Sequence, residues 1–379
     1  MQSLIPDISK SLLLSEYAGA VAPTDIIDPA DFKPILQGLF GEVGGIMSTA
    51  KKHVREGNAY PRAKLSAVEE FGDTLWYLAA LSRRMDLRLD DLFVRAAEQG
   101  GYQHLIAASD LSGAIAQIAV PRKDISLDSA LFDLGRGAAA LLGDRPEVKA
   151  VEAFAFYYLN ALHVSGLSFA EVAHTNVSKV RGAFLDPAPA SLVDFDAGLG
   201  SEEQLPRFFK IRINQRPSGK SYLRWRGVFV GDPLTDNIGD RDGYRFHDVF
   251  HFAYAAILHW SPVMRALIKH KRKSQPRLDE EEDSGRAIVV EEGLTAWLFS
   301  RAKELDYFEG QTRVSLGILK TVREFVDGYE VEKCPLRLWE RAILDGYRVF
   351  RQIRDGEGGW VVGSRVRRTI EYRPLEAKL

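Results

Sequence analysis

Apolar residues return every three to four positions through Ala- and Leu-rich stretches at about 33–55, 64–85, 89–100, 127–142, 147–165 and 168–183. That period predicts helices, and strand-like alternation is scarce before residue 184. Residues 1–188 therefore read as an all-α helical bundle. The stretch "FLDPAPASLVDFDAGLGSEEQLP" then mixes Pro, Ala, Gly and acids without a sustained period, and residues 189–206 read as a linker. Beyond it the pattern switches. "RFFKIRIN" alternates Phe209, Ile211 and Ile213 with polar positions, "RPSGK" reads as a turn, and "SYLRWRGVFV" can return as a second strand. Helical periods follow at about 244–270, 287–305, 312–327 and 335–354, and "GGWVVGSRVRRTIEYR" looks extended again. Residues 207–379 are thus expected to form an α+β domain, mostly helical with a few strands.

The helical half contains a degenerate internal repeat. "AVEEFGDTLWYLAAL" from Ala67 is echoed by "AVEAFAFYYLNALHV" from Ala150, with Glu70 and Asp73 replaced by Ala153 and Phe156. The second copy keeps the apolar face and drops the acids, which predicts two similar hairpins, one chemical and one structural.

Composition narrows the possibilities. A chain of 379 residues with 46% hydrophobic composition supports two domains. The single Cys334 excludes intrachain disulfides and multi-thiolate zinc sites, and no apolar run is long enough to span a bilayer, so the expectation is a soluble, cytoplasmic protein without a membrane partner. The net charge of −2 hides an asymmetry: residues 207–379 carry 32 Lys and Arg against 25 Asp and Glu, and the rest is acidic. The run "KHKRKSQPR" followed by "LDEEED" is the densest charge feature. It lacks interleaved aromatics for base stacking, so a self-neutralising surface loop is favoured over nucleic-acid binding.

The chemistry concentrates in "SAVEEFGDTLWYLAAL". Glu70 and Asp73, three apart, project to neighbouring positions on one helix face among apolar residues. Two carboxylates there repel unless a cation lies between them, and Mg²⁺, or Mn²⁺, takes such oxygen ligands while sharing substrate phosphates. Glu42, on the preceding helix in "GLFGEVGG", can join them across an antiparallel hairpin. Glu69 points about 100° away from Glu70 and is expected to meet solvent or a basic neighbour. Lys51 and Lys52, two turns beyond Glu42, and Lys179 with Arg181 are candidates to meet a phosphate tail.

"GLFGEVGG", a loop, then "EEFGDTLWYLAAL" and "LRLDDLF" resembles the MazG-type nucleoside triphosphate pyrophosphohydrolases, whose motif is E-x-x-E, a spacer, then E-x-x-D. "SEYAGAVAPTD" resembles the family's first helix and "NVSKVRGAF" its later Asn-x-x-Lys segment, so the likeness spans roughly residues 12–184. It implies an all-α fold, Mg²⁺ ligands at Glu42, Glu70 and Asp73, and nucleotide contacts at Asn176 and Lys179. The activity implied is attack of a metal-activated water on a nucleoside triphosphate, giving a monophosphate and pyrophosphate. One position departs: Gly45 stands where the family has its second Glu, which puts the level of activity in question. A non-catalytic nucleotide sensor with a C-terminal effector is the alternative. The internal repeat leaves a homodimer possible.

In the second half, "GDRDGYRFHDVFHFAYAAILHW" places His247 and His251 four apart on one helix face, the spacing with which two imidazoles share a metal. Asp248 adjoins the first, and Glu291 and Glu292 in "VVEEGLTAWLF" can complete a second divalent-metal site. Such a site could instead be the centre of a metal-dependent hydrolase. Asp240 and Asp242 either join it or cap the helix, and His259 reads as a hydrogen-bonded core residue. Some MazG-like proteins carry an additional C-terminal domain, to which this half is similar.

Overall fold

The computed structural model describes residues 13–99 and 125–375. The chain divides into two compact units, Met1–Leu185 and Asp186–Leu379. The first contains helices α1 (Leu14–Val21), α2 (Lys33–Glu56), α3 (Ala63–Arg84), α4 (Leu89–Gln99), α5 (Leu127–Ala140), α6 (Val148–Val164) and α7 (Phe169–Phe184). Pro34 opens α2, where its missing N–H costs nothing, and Gly57 closes it at φ +52°. The six residues between α2 and α3 turn the chain back on itself. Gly38 then faces Tyr77 and Gly45 faces Glu70, an antiparallel register in which one number rises as its partner falls.

Leu39, Val43 and Ile46 of α2 and Phe71, Leu75 and Leu78 of α3 are buried in one core with Phe154 and Tyr158 of α6. Each such side chain contributes roughly 1.5–3 kcal/mol by leaving water. α5 and α6 pack together as α2 and α3 do, and α4 and α7 follow their hairpins after matching short turns. The sequence echo is therefore a repeated helical unit. Its second copy supports the first directly: the Tyr158 hydroxyl donates to the Phe71 carbonyl at 3.0 Å, and their rings meet edge-on.

The second unit is built on a five-stranded antiparallel sheet of β1 (Phe208–Gln215), β2 (Ser221–Trp225), β3 (Val228–Leu234), β4 (Gly358–Ser364) and β5 (Thr369–Arg373), in the order β3-β2-β1-β4-β5. The stretch expected as one returning strand is a hairpin of two, because Arg226 and Gly227 take positive φ and reverse the chain within two residues. Helix α8 (Asp248–Ile257) packs on β4, β5 and α13 (Leu336–Asp355), and all ten of its residues are buried. The helix expected over 244–270 is broken. His259 turns left-handed, Ser261 caps the next start, and Pro262 opens α9 (Pro262–Ile268), since proline cannot continue an existing helix. Further on are α10 (Pro276–Glu281), α11 (Gly285–Lys303) and α12 (Leu316–Phe325).

Two charged stretches differ from expectation. Residues 189–206, read as a linker, belong to the second unit, where Asp196 is buried and accepts from Leu205 N, Arg265 and Arg365. The basic run expected as a surface loop contains Arg272, which is fully buried. Its guanidinium meets Asp283 at 2.8 Å and Glu330 at 2.6 Å, a fork geometry that only arginine provides.

Candidate functional site

The register that sets Gly45 against Glu70 sets Glu42, almost one turn earlier, against Asp73. The three carboxyl groups of α2 and α3 converge at a half-buried position. Burial, the Asp73 charge, and the hydrogen bond and charge of Glu70 push the Glu42 carboxyl up to about 8, and Lys179 offsets only part of this. Near neutral pH, then, Glu42 keeps a proton, because burial first and the neighbouring acids second disfavour its charged form.

α7 fixes the other side of the cluster. Gly72 lets it approach α3 so closely that a Cβ there would lie 2.9 Å from the Asn176 Cβ. Buried Asn176 donates to Asp73 at 3.1 Å and accepts from the Tyr17 hydroxyl at 2.8 Å. Lys179 pairs with Asp73 and with Glu69 Oε1, the latter at 2.7 Å, so Glu69 does meet a basic neighbour. Asn176 and Lys179, expected at a nucleotide, are thus engaged in holding Asp73. Lys51 and Lys52 are exposed, and Lys51, nine residues on from Glu42, lies roughly 180° around α2 from it. Exposed Arg181 donates to the Ala20 carbonyl at 3.2 Å. Tyr17 was not singled out by sequence because its only signal there is a place in an apolar helical period.

A second constellation forms in the other unit. His247 at the start of α8 and His251 one turn on present their rings 5.5 Å apart. Each Nε2 lies 3.5 Å from Glu292 Oε2 on α11. His247 Nδ1 is 2.9 Å from the Tyr244 carbonyl, and Tyr244 stacks on its ring. His251 Nδ1 is 2.8 Å from Glu291 Oε1. Fully buried Glu291 also accepts from Ser261 Oγ and from Val263 N, so it ties α8, α9 and α11 together. Burial alone would lower the His251 pKa, but Glu291 and Glu292 outweigh it and raise it to about 10. Burial would raise Glu292, yet the two histidines hold it far below the usual carboxylate range. Asp248 places a carboxylate oxygen within 4.8 Å of a ring nitrogen of each histidine. Asp242 instead accepts from Tyr244 N and Lys303 ahead of α8, whose N-cap is His247 without a side-chain cap, so Asp242 does not cap the helix. His259 is hydrogen-bonded to the Arg365 carbonyl at 2.9 Å.

Residues 190–376 match the family model of the MazG C-terminal domain. The second unit is a MazG-related C-terminal domain. It contains the whole histidine and glutamate constellation, whereas Glu42, Glu70 and Asp73 lie outside the matched residues. No curated protein and no solved structure matches the chain. No helix among the described residues is long and apolar enough to cross a membrane.

Proposed function

We propose that the chain is a Mg²⁺-dependent nucleoside triphosphate pyrophosphohydrolase whose chemistry lies in the first unit. The observation that carries this reading is the convergence of Glu42, Glu70 and Asp73, where burial and the neighbouring acids raise the Glu42 carboxyl. An all-oxygen donor set with excess negative charge fits a hard divalent cation, Mg²⁺ or Mn²⁺. The MazG-related C-terminal domain adds support from the same family.

Glu42, Glu70 and Asp73 would hold the ion, which when bound lowers the pKa of a water and neutralises charge on phosphate oxygens. The chain's own groups do the rest. Asn176 and Lys179 fix Asp73 in place through its two oxygens, so one ligand is oriented before substrate arrives. Glu42, once deprotonated, can accept a proton from the attacking water. The water oxygen bonds to the α-phosphorus, the bond from that phosphorus to the bridging oxygen breaks, and pyrophosphate leaves with the electron pair.

Incubation with each common nucleoside triphosphate and Mg²⁺ should release pyrophosphate and the monophosphate, and Glu70→Gln should reduce release by at least about 100-fold. Absence of release with tight nucleotide binding retained would favour the sensor alternative, in which Gly45 leaves the site able to bind but not to cut.

A further inference from the structure

The second unit holds a group of ligands that the proposed pyrophosphohydrolase does not use. His247 and His251 stand one helical turn apart, and both Nε2 atoms lie at the same 3.5 Å distance from a single oxygen of Glu292. That separation is long for a hydrogen bond. His251 is fully buried, and its Nε2 makes no hydrogen bond within the protein. A buried ring nitrogen left in this state is costly unless something else engages it.

The opposite edges of the two rings are arranged differently. His251 Nδ1 lies 2.8 Å from Glu291, itself anchored by Ser261 Oγ and Val263 N, and His247 Nδ1 lies 2.9 Å from the Tyr244 carbonyl. With Nδ1 facing these acceptors, each ring turns Nε2 toward the convergence point, where a metal ion would take the place of a proton. Carboxylate and carbonyl partners of this kind are the ones that orient metal-bound histidines. Asp248 supplies a further oxygen within 4.8 Å of both rings. The Glu292 side chain is 40% exposed, so the convergence point has one side toward solvent.

We propose that His247 Nε2, His251 Nε2 and the Glu292 carboxylate bind one divalent ion of the zinc class, with Asp248 beside it and Glu291 as the positioning residue for His251. Two imidazoles and a carboxylate suit Zn²⁺ and its neighbours in the transition series better than Mg²⁺. Three protein ligands with a solvent-facing side leave a coordination position for water or an anionic oxygen, as in hydrolytic rather than closed structural sites.

The test uses the full chain, freed of metal by chelation and titrated with Zn²⁺ alone, with Co²⁺ as a spectroscopic probe. The expected result is one ion per chain, a rise in melting temperature on adding Zn²⁺, and visible absorption of the Co²⁺ form that reports nitrogen ligation. Glu292→Ala should weaken binding by more than about 100-fold, and Glu291→Gln by about 10- to 100-fold. Glu70→Gln should leave this binding unchanged, which separates it from the first unit. His247→Ala should behave like Glu292→Ala; if that variant fails to fold, the half-exposed Glu292 decides. Absence of Zn²⁺ binding by the wild type, or unchanged affinity in Glu292→Ala, overturns the proposal and leaves the cluster as a closed histidine and carboxylate ion-pair network.

Discussion

The Glu70 carboxylate lies directly over Gly45: a Cβ built on that glycine would stand 2.1 Å from Glu70 Oε2 and 2.6 Å from its Cδ. Gly45, where the resemblance to the MazG-type motif breaks, therefore makes room for the Glu70 carboxylate. Gly45→Ala brings two opposed effects. Helix propensity should add up to about 1 kcal/mol of stability, while the new methyl displaces Glu70 from its partners. The expected outcome is a melting temperature unchanged or raised, with Mn²⁺ affinity reduced about tenfold or more, read by calorimetric titration. An unaltered affinity would show that Glu70 finds the ion from another rotamer.

Glu42 provides a pH dependence. Its carboxyl titrates at about 8 in the folded protein against 4.5 when unperturbed. The folded state thus holds the extra proton, and metal-free stability should fall as pH rises from about 4.5 to about 8. Ion binding reverses the preference and must expel that proton, so Mg²⁺ affinity should increase with pH up to about 8. Titration near pH 7 in two buffers of different ionisation enthalpy should show close to one proton released per ion. Glu42→Gln should remove that release.

His259 predicts a dependence of the opposite sign. Burial, then the charges of Arg368 and Arg365, pull it down to about 4, against the hydrogen bond to the Arg365 carbonyl and the charge of Asp194. Its Nε2 faces the Arg365 carbonyl and its Nδ1 lies 3.4 Å from an Arg368 nitrogen, so a second ring proton would point at a guanidinium. Between pH 6.5 and about 4 the unfolded chain binds more protons, and stability should drop by about 1–3 kcal/mol as pH falls through that window. His259→Asn, which tolerates the left-handed backbone at φ +62°, should flatten this slope in urea unfolding.

Asp283 is fully buried against Arg272, and Glu330 lies on the other side of the same guanidinium. Asp283→Ala leaves a buried cation with half its partners and should cost about 3–5 kcal/mol, measured by denaturant unfolding. An exposed neighbour such as Lys273 changed to Ala should cost almost nothing, because only one member of the basic run is inside.

What the sequence disclosed follows from the range of the forces involved. The helices of the first unit were legible because each buries one face, and the period of that face is written locally, as in Leu75, Leu78 and Ala79. The i, i+3 pair Glu70 and Asp73 and the i, i+4 pair His247 and His251 were legible for the same reason. The rest depended on partners far along the chain. Nothing near Arg272 announces Glu330, and nothing near Asn176 announces Tyr17. The break at Pro262 was visible in principle, yet the apolar residues on both sides of it continued a helical period. Lys51 and Lys52 were placed by their distance along α2, whereas the angle around the helix decides what a side chain can reach.

The hydroxyl of Tyr17, the amide of Asn176 and the carboxylate of Asp73 form one hydrogen-bonded chain that joins α1, α7 and α3. During synthesis, the acids of α2 and α3 emerge from the ribosome about a hundred residues before the amide and ammonium groups that steady Asp73. The partners that steady Asp73 are therefore in place only once the last helix of the unit has been made, so the candidate site is completed late in synthesis.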